Sequence, residues 1–405
     1  MRDAHSPNFQ WYMLALIAAT STFVSAIPSS CMPVLFKEIS EDLGLSLVQI
    51  GTIWGIANLA GVFTSLIAGV LSDKFGVRFF LTVSCILVGV TGALRGLSNS
   101  FVALMVTVFI NGIVKNMIPI SATKTIGMWF KGEHLGMAMG IGAMGMGMGL
   151  MLGPMISATL LSPWLGGWRN VLYLYGAIST LVGILWFLIG REPPQAETKV
   201  EYAGAVPVGQ AFSKLIRLKA LWLMGITLFF RSAGITGMTG YLPLYLQGLG
   251  WSTASADSTL ATFYAFSTIC VIPLSIFSDR IGSRKKILFP ALIVTFICMI
   301  LVPAVNGIAI WGLMALSGAF MDGYMAVTTT MLMETEGVGP AYSGTALGIV
   351  FTIAQIGSVI SPPLGNSFAS IKPGIPFVFW AALSCIALVT LILSKDTGPR
   401  KIRVD

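Results

Sequence analysis

The stretch GVLSDKFGVR at residues 69–78 occurs a second time, as SIFSDRIGSR at residues 275–284. A second pattern recurs at nearly the same offset. It consists of Gly140, Gly149, Gly153 and Pro154 in one place, and of Gly348, Gly357, Ser361 and Pro362 in the other, with identical internal spacing. Duplication in the same chain direction predicts two halves that are built alike, with a cleft between them.

The composition indicates a membrane protein. Of the 405 residues, 55% are hydrophobic and 10% are charged, and the mean hydropathy is +0.85, whereas soluble domains carry about 25% charged residues. Apolar runs long enough to cross a bilayer as helices recur along the chain, and the lack of period-2 alternation excludes a β-barrel. The predicted spans are 11–34, 46–70, 79–98, 101–123, 137–161, 170–190, 220–246, 256–277, 286–305, 308–331, 344–368 and 374–394.

These spans predict an all-α polytopic fold of twelve transmembrane helices in two parallel six-helix repeats. The longest polar stretch lies between spans six and seven, so we expect an N-terminal bundle over 1–190, a cytoplasmic linker over 191–219 and a C-terminal bundle over 220–405. The last bundle ends in a short cytoplasmic tail.

The basic residues predict the orientation. Of the 24 Lys and Arg residues, Lys37, Arg95, Arg169 and Lys372 fall outside, Lys115 and Arg231 fall within the bilayer, and the remaining 18 fall on the cytoplasmic side if both termini are inside. This asymmetry follows the positive-inside rule and places the chain in a cell (inner or plasma) membrane, so the net charge of +8 does not indicate nucleic-acid binding. Arg95 ends span three, where we expect its side chain to extend to the lipid headgroups.

The doubled motif, the six-plus-six arrangement and the basic central loop resemble the major facilitator superfamily, over the whole chain. In that family the loop helps to lock one conformational state. The resemblance therefore implies gating roles for Asp73, Lys74, Gly76, Arg78, Asp279, Arg280 and Arg284. The alternative is that these residues are topology anchors, although anchoring alone would require neither the acid nor the glycine.

Span five contains Gly145, Gly149 and Gly153 at every fourth position, followed by Pro154. Small residues at this spacing form a groove that lets another helix approach closely. The pattern resembles the antiporter motif of the superfamily, but Ser157 and Ala158 replace its final glycine pair. It predicts a closely packed helix and does not decide the direction of transport.

Three charged residues lie near the middle of predicted spans: Lys115 in span four, Arg231 in span seven and Asp322 in span ten. A charge at the bilayer centre costs about 2.5–3.5 kcal/mol, so each needs a partner or a purpose. In the facilitator fold these spans line the central cavity. Arg231, with Lys115, could bind an anion, and Asp322 could carry a proton. Alternatively, Lys115 and Asp322 form a structural ion pair.

Further substrate contacts are expected from Asn116, Tyr241 and Tyr324, although tyrosines also anchor helices at the interface. Lys115, Arg231 and Asp322 together carry a charge of +1, which suits a monovalent anion. No phosphate-binding Gly-x-x-x-x-Gly-Lys-Ser/Thr loop occurs, and the sequence gives no indication of a metal site, a cofactor or an enzyme's catalytic cluster.

We therefore expect a secondary active transporter that moves a small organic or inorganic anion by alternating access, as a proton symporter and as a monomer. The arginine of span three and Trp129-Phe130 after span four loosely resemble the cyanate-permease and related small-anion branches. Nitrate porters are disfavoured, because their glycine-rich signature carries an Asn that span five lacks. The main alternative is a drug/proton antiporter, and a channel or a transport-derived sensor stays open.

Overall fold

The computed structural model describes residues 9–130, 133–191 and 208–398, with side chains described except at 62–63, 65–73, 133, 208–209, 211 and 339–341. In these ranges the chain is predominantly helical. Eleven helices are long and apolar enough to be membrane spans, and a twelfth, Leu47–Phe75, has a shorter apolar stretch over Leu47–Gly61. They are α1 Phe9–Leu43, α2 Leu47–Phe75, α3 Val77–Gly96, α4 Phe101–Trp129, α5 His134–Leu165, α6 Trp168–Ile189, α7 Lys219–Gly248, α8 Thr253–Ile281, α9 Lys285–Ala304, α10 Ile308–Met333, α11 Tyr342–Ser370 and α12 Ile375–Leu393. The all-α prediction of twelve spans is confirmed.

The chain forms two compact units. The first comprises residues 1–199 and 250–261, and the second comprises residues 200–249 and 262–405. Most of the predicted linker, 192–207, lies outside the described residues, and its remainder contains a short helix, Val208–Leu215.

In the first unit, α1 packs along α5, and α3 packs along α6. The glycines of α5 produce the first contact, because a Cβ on Gly145 would lie 2.9 Å from the carbonyl oxygen of Ala18 and one on Gly149 would lie 2.5 Å from Ala26 Cβ. Thr22 Oγ1 donates to the Gly145 carbonyl oxygen at 2.7 Å. After Pro154, π-helical hydrogen bonding runs over Ser157–Leu161.

In the second unit, α7 packs on α11 and α12, and α9 packs on α12. Gly357 of α11 lies against the backbone of Phe229, where a Cβ would clash with the carbonyl oxygen. Ser361, which replaces a glycine of the first repeat, donates its hydroxyl to the Ala233 carbonyl oxygen at 2.7 Å. The contact between α7 and α11 is therefore held by a side-chain hydrogen bond as well as by close packing.

Two helices are interrupted at matching places. α4 consists of Phe101–Lys115 and Ile118–Trp129, and α10 consists of Ile308–Ala319 and Met321–Met333. The first interruption follows Lys115 directly, and the second lies two residues before Asp322. Broken helices are typical of binding sites in secondary transporters, because they leave backbone groups free of the regular helical pattern.

Candidate functional site

In the second unit, Arg231 is buried in the middle of α7, with 4% of its surface exposed. Its Nη2 donates to the Met321 carbonyl oxygen at 2.9 Å, at the interruption of α10. Its guanidinium carbon lies 4.1 Å from the centroid of the Tyr324 ring, an attractive cation–π contact. Its Nε is buried without a hydrogen-bond partner. Thus the described residues give this cation one carbonyl oxygen and one aromatic face, but no carboxylate within ion-pair distance.

Asp322 has a different partner. Ser267 Oγ of α8 donates to Asp322 Oδ2 at 2.6 Å, and the Asp322 backbone N–H donates to the same Oγ at 3.1 Å. The side chain is half-buried. A hydroxyl can donate to a carboxylate or accept from a carboxylic acid, so this contact is compatible with either protonation state of Asp322.

In the first unit, Lys115 ends the first segment of α4 and is half-buried. Within the described part of the chain, its ammonium group makes no hydrogen bond or ion pair. Asn116 occupies the interruption that follows, where its backbone N–H donates to the Gly112 carbonyl oxygen at 3.1 Å. The charge of Lys115 is therefore not neutralised by a contact inside this unit.

The expectation for Arg95 was wrong. Its side chain is 3% exposed and turns into the first unit instead of toward the headgroups. Nη1 donates to the Pro28 carbonyl oxygen at 3.4 Å, and Nε donates to the Gly92 carbonyl oxygen at 3.3 Å. The reason is that Arg95 continues the buried face of α3 formed by Ser84 and Thr91, so its guanidinium follows that face toward α1.

Arg95 and Lys115 line the same small cavity, which has a volume of about 20 Å3. Asn111 also lines it and is fixed by two hydrogen bonds, from Nδ2 to the Val88 carbonyl oxygen at 3.2 Å and to Thr91 Oγ1 at 3.0 Å. No aspartate or glutamate is among the described residues of this lining, which are Pro28, Ser29, Met32, Phe36, Ile53, Trp54, Ala57, Arg95, Val108, Asn111 and Lys115.

Tyr241 and Tyr324 are both buried, but only Tyr324 contacts Arg231. Tyr241 donates its hydroxyl to the Pro373 carbonyl oxygen at 3.2 Å and packs against Phe377 and Trp380 of α12. Its environment is that of a packing residue between α7 and α12, so we do not carry it into the proposed site.

The second copy of the loop motif builds a charged clamp. Arg284, 4% exposed on its side chain, makes a two-pronged contact with Glu334 at the end of α10, at 2.7 Å from Nη2 and 3.1 Å from Nε. Its Nη1 contacts Asp279 Oδ1 at 2.5 Å and Ser278 Oγ at 3.0 Å. Because Glu334 binds the charged form, it raises the pKa of Arg284 above its usual value. The guanidinium therefore stays charged at every physiological pH.

The C-terminal segment joins this clamp. Thr397 Oγ1 donates to Glu334 Oε2 at 2.9 Å. Asp396 accepts the Lys285 backbone N–H at 3.0 Å and the Ser283 hydroxyl at 2.7 Å. The tail thus supplies a hydrogen-bond acceptor to the first turn of α9, whose own N-cap residue supplies none.

The first copy of the loop motif is more exposed to solvent than the second. Arg78 is exposed, and its Nη2 donates to the Phe187 carbonyl oxygen at 2.5 Å. Gly76 has φ of 79°, and its counterpart Gly282 has φ of 66°, a left-handed conformation that favours glycine. Lys74 and Arg280 are exposed, and the Asp73 side chain lies outside the described residues.

Sequence and structure comparisons identify the lineage of this chain. The family model of the Major Facilitator Superfamily matches residues 18–335 and 249–404. The chain belongs to this superfamily. A superfamily structure, that of a bacterial homologue of the human lysosomal transporter Spinster in an inward-facing, occupied conformation, superposes with a TM-score of 0.78 at 15% identity, covering 96% of this chain and 97% of that one.

Among curated superfamily relatives, a probable nitrate/nitrite antiporter NarK1 of Thermus thermophilus is 22% identical, with 89% of this chain and 85% of the relative covered. A probable sulfoacetate transporter SauU of Cupriavidus necator is 23% identical, with 87% and 85% covered. The multidrug resistance protein MdtG of Proteus mirabilis is 22% identical, with 97% and 98% covered. The protein is thus a multi-pass membrane transporter of a small molecule and not an enzyme.

Proposed function

We propose that this facilitator moves a small organic anion across the membrane by alternating access, and that Arg231 binds the anion. The observation that carries this proposal is a buried guanidinium whose described partners include no carboxylate. Asp322 acts on this guanidinium only from beyond ion-pair distance, and a permanent charge without a direct ionic partner is costly inside a membrane. An anionic substrate removes that cost while it is bound, and a guanidinium can hold a carboxylate or sulfonate by two parallel hydrogen bonds.

Two relatives support this substrate class through their descriptions, one of which specifies nitrate and nitrite and the other sulfoacetate. Because one relative is described as a nitrate/nitrite antiporter, nitrate should be tested as a substrate, although the glycine pattern of α5 disfavours it. The MdtG relative keeps drug export as the alternative function. Lipophilic cations would, however, be repelled by the buried guanidinium of Arg231.

We further propose that Asp322 carries the coupled proton. Its partner Ser267 is neutral and can both donate and accept, so loading the carboxylate with a proton breaks no ion pair within the described second unit. Lys115, with Asn116 beside it, is proposed as a further anion contact. The loop residues Asp73, Lys74, Gly76, Arg78, Asp279, Arg280 and Arg284 remain proposed gates, with both termini on the cytoplasmic side.

Counterflow in proteoliposomes tests the anion site. The full chain is reconstituted and offered labelled nitrate, sulfoacetate, short carboxylates and a lipophilic cation. We expect anion exchange in the wild type, a loss of about tenfold or more in Arg231→Gln and partial recovery in Arg231→Lys. Lys372→Gln is the matched control, because it removes a cation from an exposed position of the same unit.

Anion exchange that survives Arg231→Gln unchanged would overturn the assignment of Arg231. Exchange of the cation alone would favour drug export instead.

A second assay separates coupling from binding. In Asp322→Asn, counterflow should persist while accumulation of the anion on an imposed pH gradient is lost, because exchange needs no net proton movement. A variant that still concentrates the anion on the pH gradient would show that the proton is carried elsewhere.

A further inference from the structure

We propose that the first unit contains its own anion subsite, formed by Arg95 and Lys115 around the cavity between α1, α2, α3 and α4, and that it favours ligands with two negative charges. This inference rests on the proposed function and deepens it, since it assigns a second site and a narrower substrate class. The sequence expectation was a monovalent anion, because Lys115, Arg231 and Asp322 together carry a charge of +1 and Arg95 was placed outside.

The geometry of Arg95 indicates a group held ready for a ligand. The guanidinium is almost completely buried, yet its two hydrogen bonds are long, at 3.3 and 3.4 Å, and both go to backbone carbonyls. Within the described residues Nη2 makes no hydrogen bond, although it lies beside Gly92. A buried cation normally has a carboxylate partner or a ligand.

The charge balance of the cavity points in the same direction. Both Arg95 and Lys115 contribute to its lining, and no acidic residue is among the described lining residues. Two like charges on one cavity repel each other, and an anion between them relieves both the repulsion and the loss of hydration. A dianion with one charged group in the cavity and the other just outside it balances the charge of +2 on the lining, whereas a monoanion leaves an excess of +1.

The size and the walls of the cavity limit what enters it. About 20 Å3 has room for one water-sized group. The subsite therefore takes one oxygen of a carboxylate or sulfonate head group, and the rest of the ligand lies outside the cavity. Asn111 stays in place through its bonds to α3 and keeps the wall between Arg95 and Lys115 fixed.

A structural role for Arg95 predicts something different. Its bond to Pro28 ties α3 to α1, so in that case its loss would lower stability without changing which anions bind. Lys115 makes no hydrogen bond or ion pair in the described structure, so its replacement removes charge but no contact. Comparing variants of Arg95 with variants of Lys115 therefore distinguishes a structural role from anion binding.

The test measures thermal stabilisation of the purified full-length protein by matched anions of equal carbon number, succinate and butyrate. Sulfate and nitrate form a second pair. A ligand that binds the folded state raises the melting temperature according to its dissociation constant. The variants are Arg95→Gln, Arg95→Lys and Lys115→Gln, with Lys37→Gln as the control for loss of an exposed cation in the same unit.

We expect the dianions to bind wild type more tightly than the monoanions. Arg95→Gln and Lys115→Gln should each weaken dianion binding by about tenfold or more, whereas Arg95→Lys and Lys37→Gln should retain the preference for dianions. Dianion binding that is unchanged in Lys115→Gln and in the folded Arg95 variants would overturn the subsite and leave the proposed function intact. If none of the anions stabilises the wild type, while counterflow shows no anion exchange, the proposed function itself fails.

Discussion

The two copies of the loop motif have nearly the same sequence but very different surroundings. Arg284 is buried and clamped between Asp279 and Glu334, whereas Arg78 is exposed and meets a backbone carbonyl oxygen. The cause lies outside the motif. The second repeat ends α10 with an acid, Glu334, and the corresponding end of α4 contains no acidic residue between Thr123 and Phe130. The buried clamp of the second copy thus depends on Glu334, a residue outside the motif.

Removing that partner should produce the largest effect. Glu334→Ala leaves the buried guanidinium of Arg284 without its two-pronged acceptor, and we expect a loss of about 3–5 kcal/mol in the free energy of unfolding. Chemical or thermal unfolding in detergent measures it. Glu336→Ala is the matched control, because Glu336 is two residues away with 92% of its side chain exposed. Equal stability of the two variants would show that the clamp contributes nothing specific.

Substitutions at the closely packed glycines of α5 and α11 should give the next largest loss of stability. Gly149→Ala should destabilise the protein by about 1–3 kcal/mol, because the added methyl group meets α1 and forces overpacking. Gly357→Ala should do the same against Phe229 of α7. Gly140→Ala and Gly348→Ala occupy the same helices with nothing within 4 Å of the added Cβ, so both should be neutral or slightly stabilising.

Unfolding midpoints of these four variants test the α1–α5 contact and the α7–α11 contact together. Uniform behaviour of the four would mean that close approach of the helices is not what the glycines provide.

The smallest effect belongs to the first copy of the motif. Arg78→Gln should change the free energy of unfolding by less than about 1 kcal/mol, because contacts made by an exposed cation contribute little to stability. Measured beside Arg284→Gln under the same conditions, it should be the milder of the two. A loss for Arg78→Gln as large as that for Arg284→Gln would remove the contrast between the copies.

The fold could be predicted from the sequence because its main determinants are local. Span length and hydropathy define the twelve helices, and the repeat defines the two halves. The position of Arg95 could not be predicted from its place near a helix end, which suggested headgroups. A signal was present nonetheless, since Ser84, Thr91 and Arg95 share one helical face, and polar residues on one face of a membrane helix turn toward protein.

Other features had little local signal. No proline marks the interruption of α10 at Phe320, and the nearby Gly318 and Gly323 are a weak signal, because glycine is frequent in membrane helices. The pairing of Arg284 with Glu334 joins residues 50 positions apart, and the partners of Arg231 come from another helix. Such contacts depend on how helices pack, and hydropathy alone does not carry that information.

The docking of Asp396 and Thr397 on the start of α9 has a practical consequence for handling the protein. These residues complete both a helix terminus and the Arg284–Glu334 clamp, so shortening the chain before residue 396 would expose two sets of unpaired polar groups together. Affinity tags and fluorescent fusions therefore belong beyond this segment or at the opposite end of the polypeptide, where they leave these bonds intact.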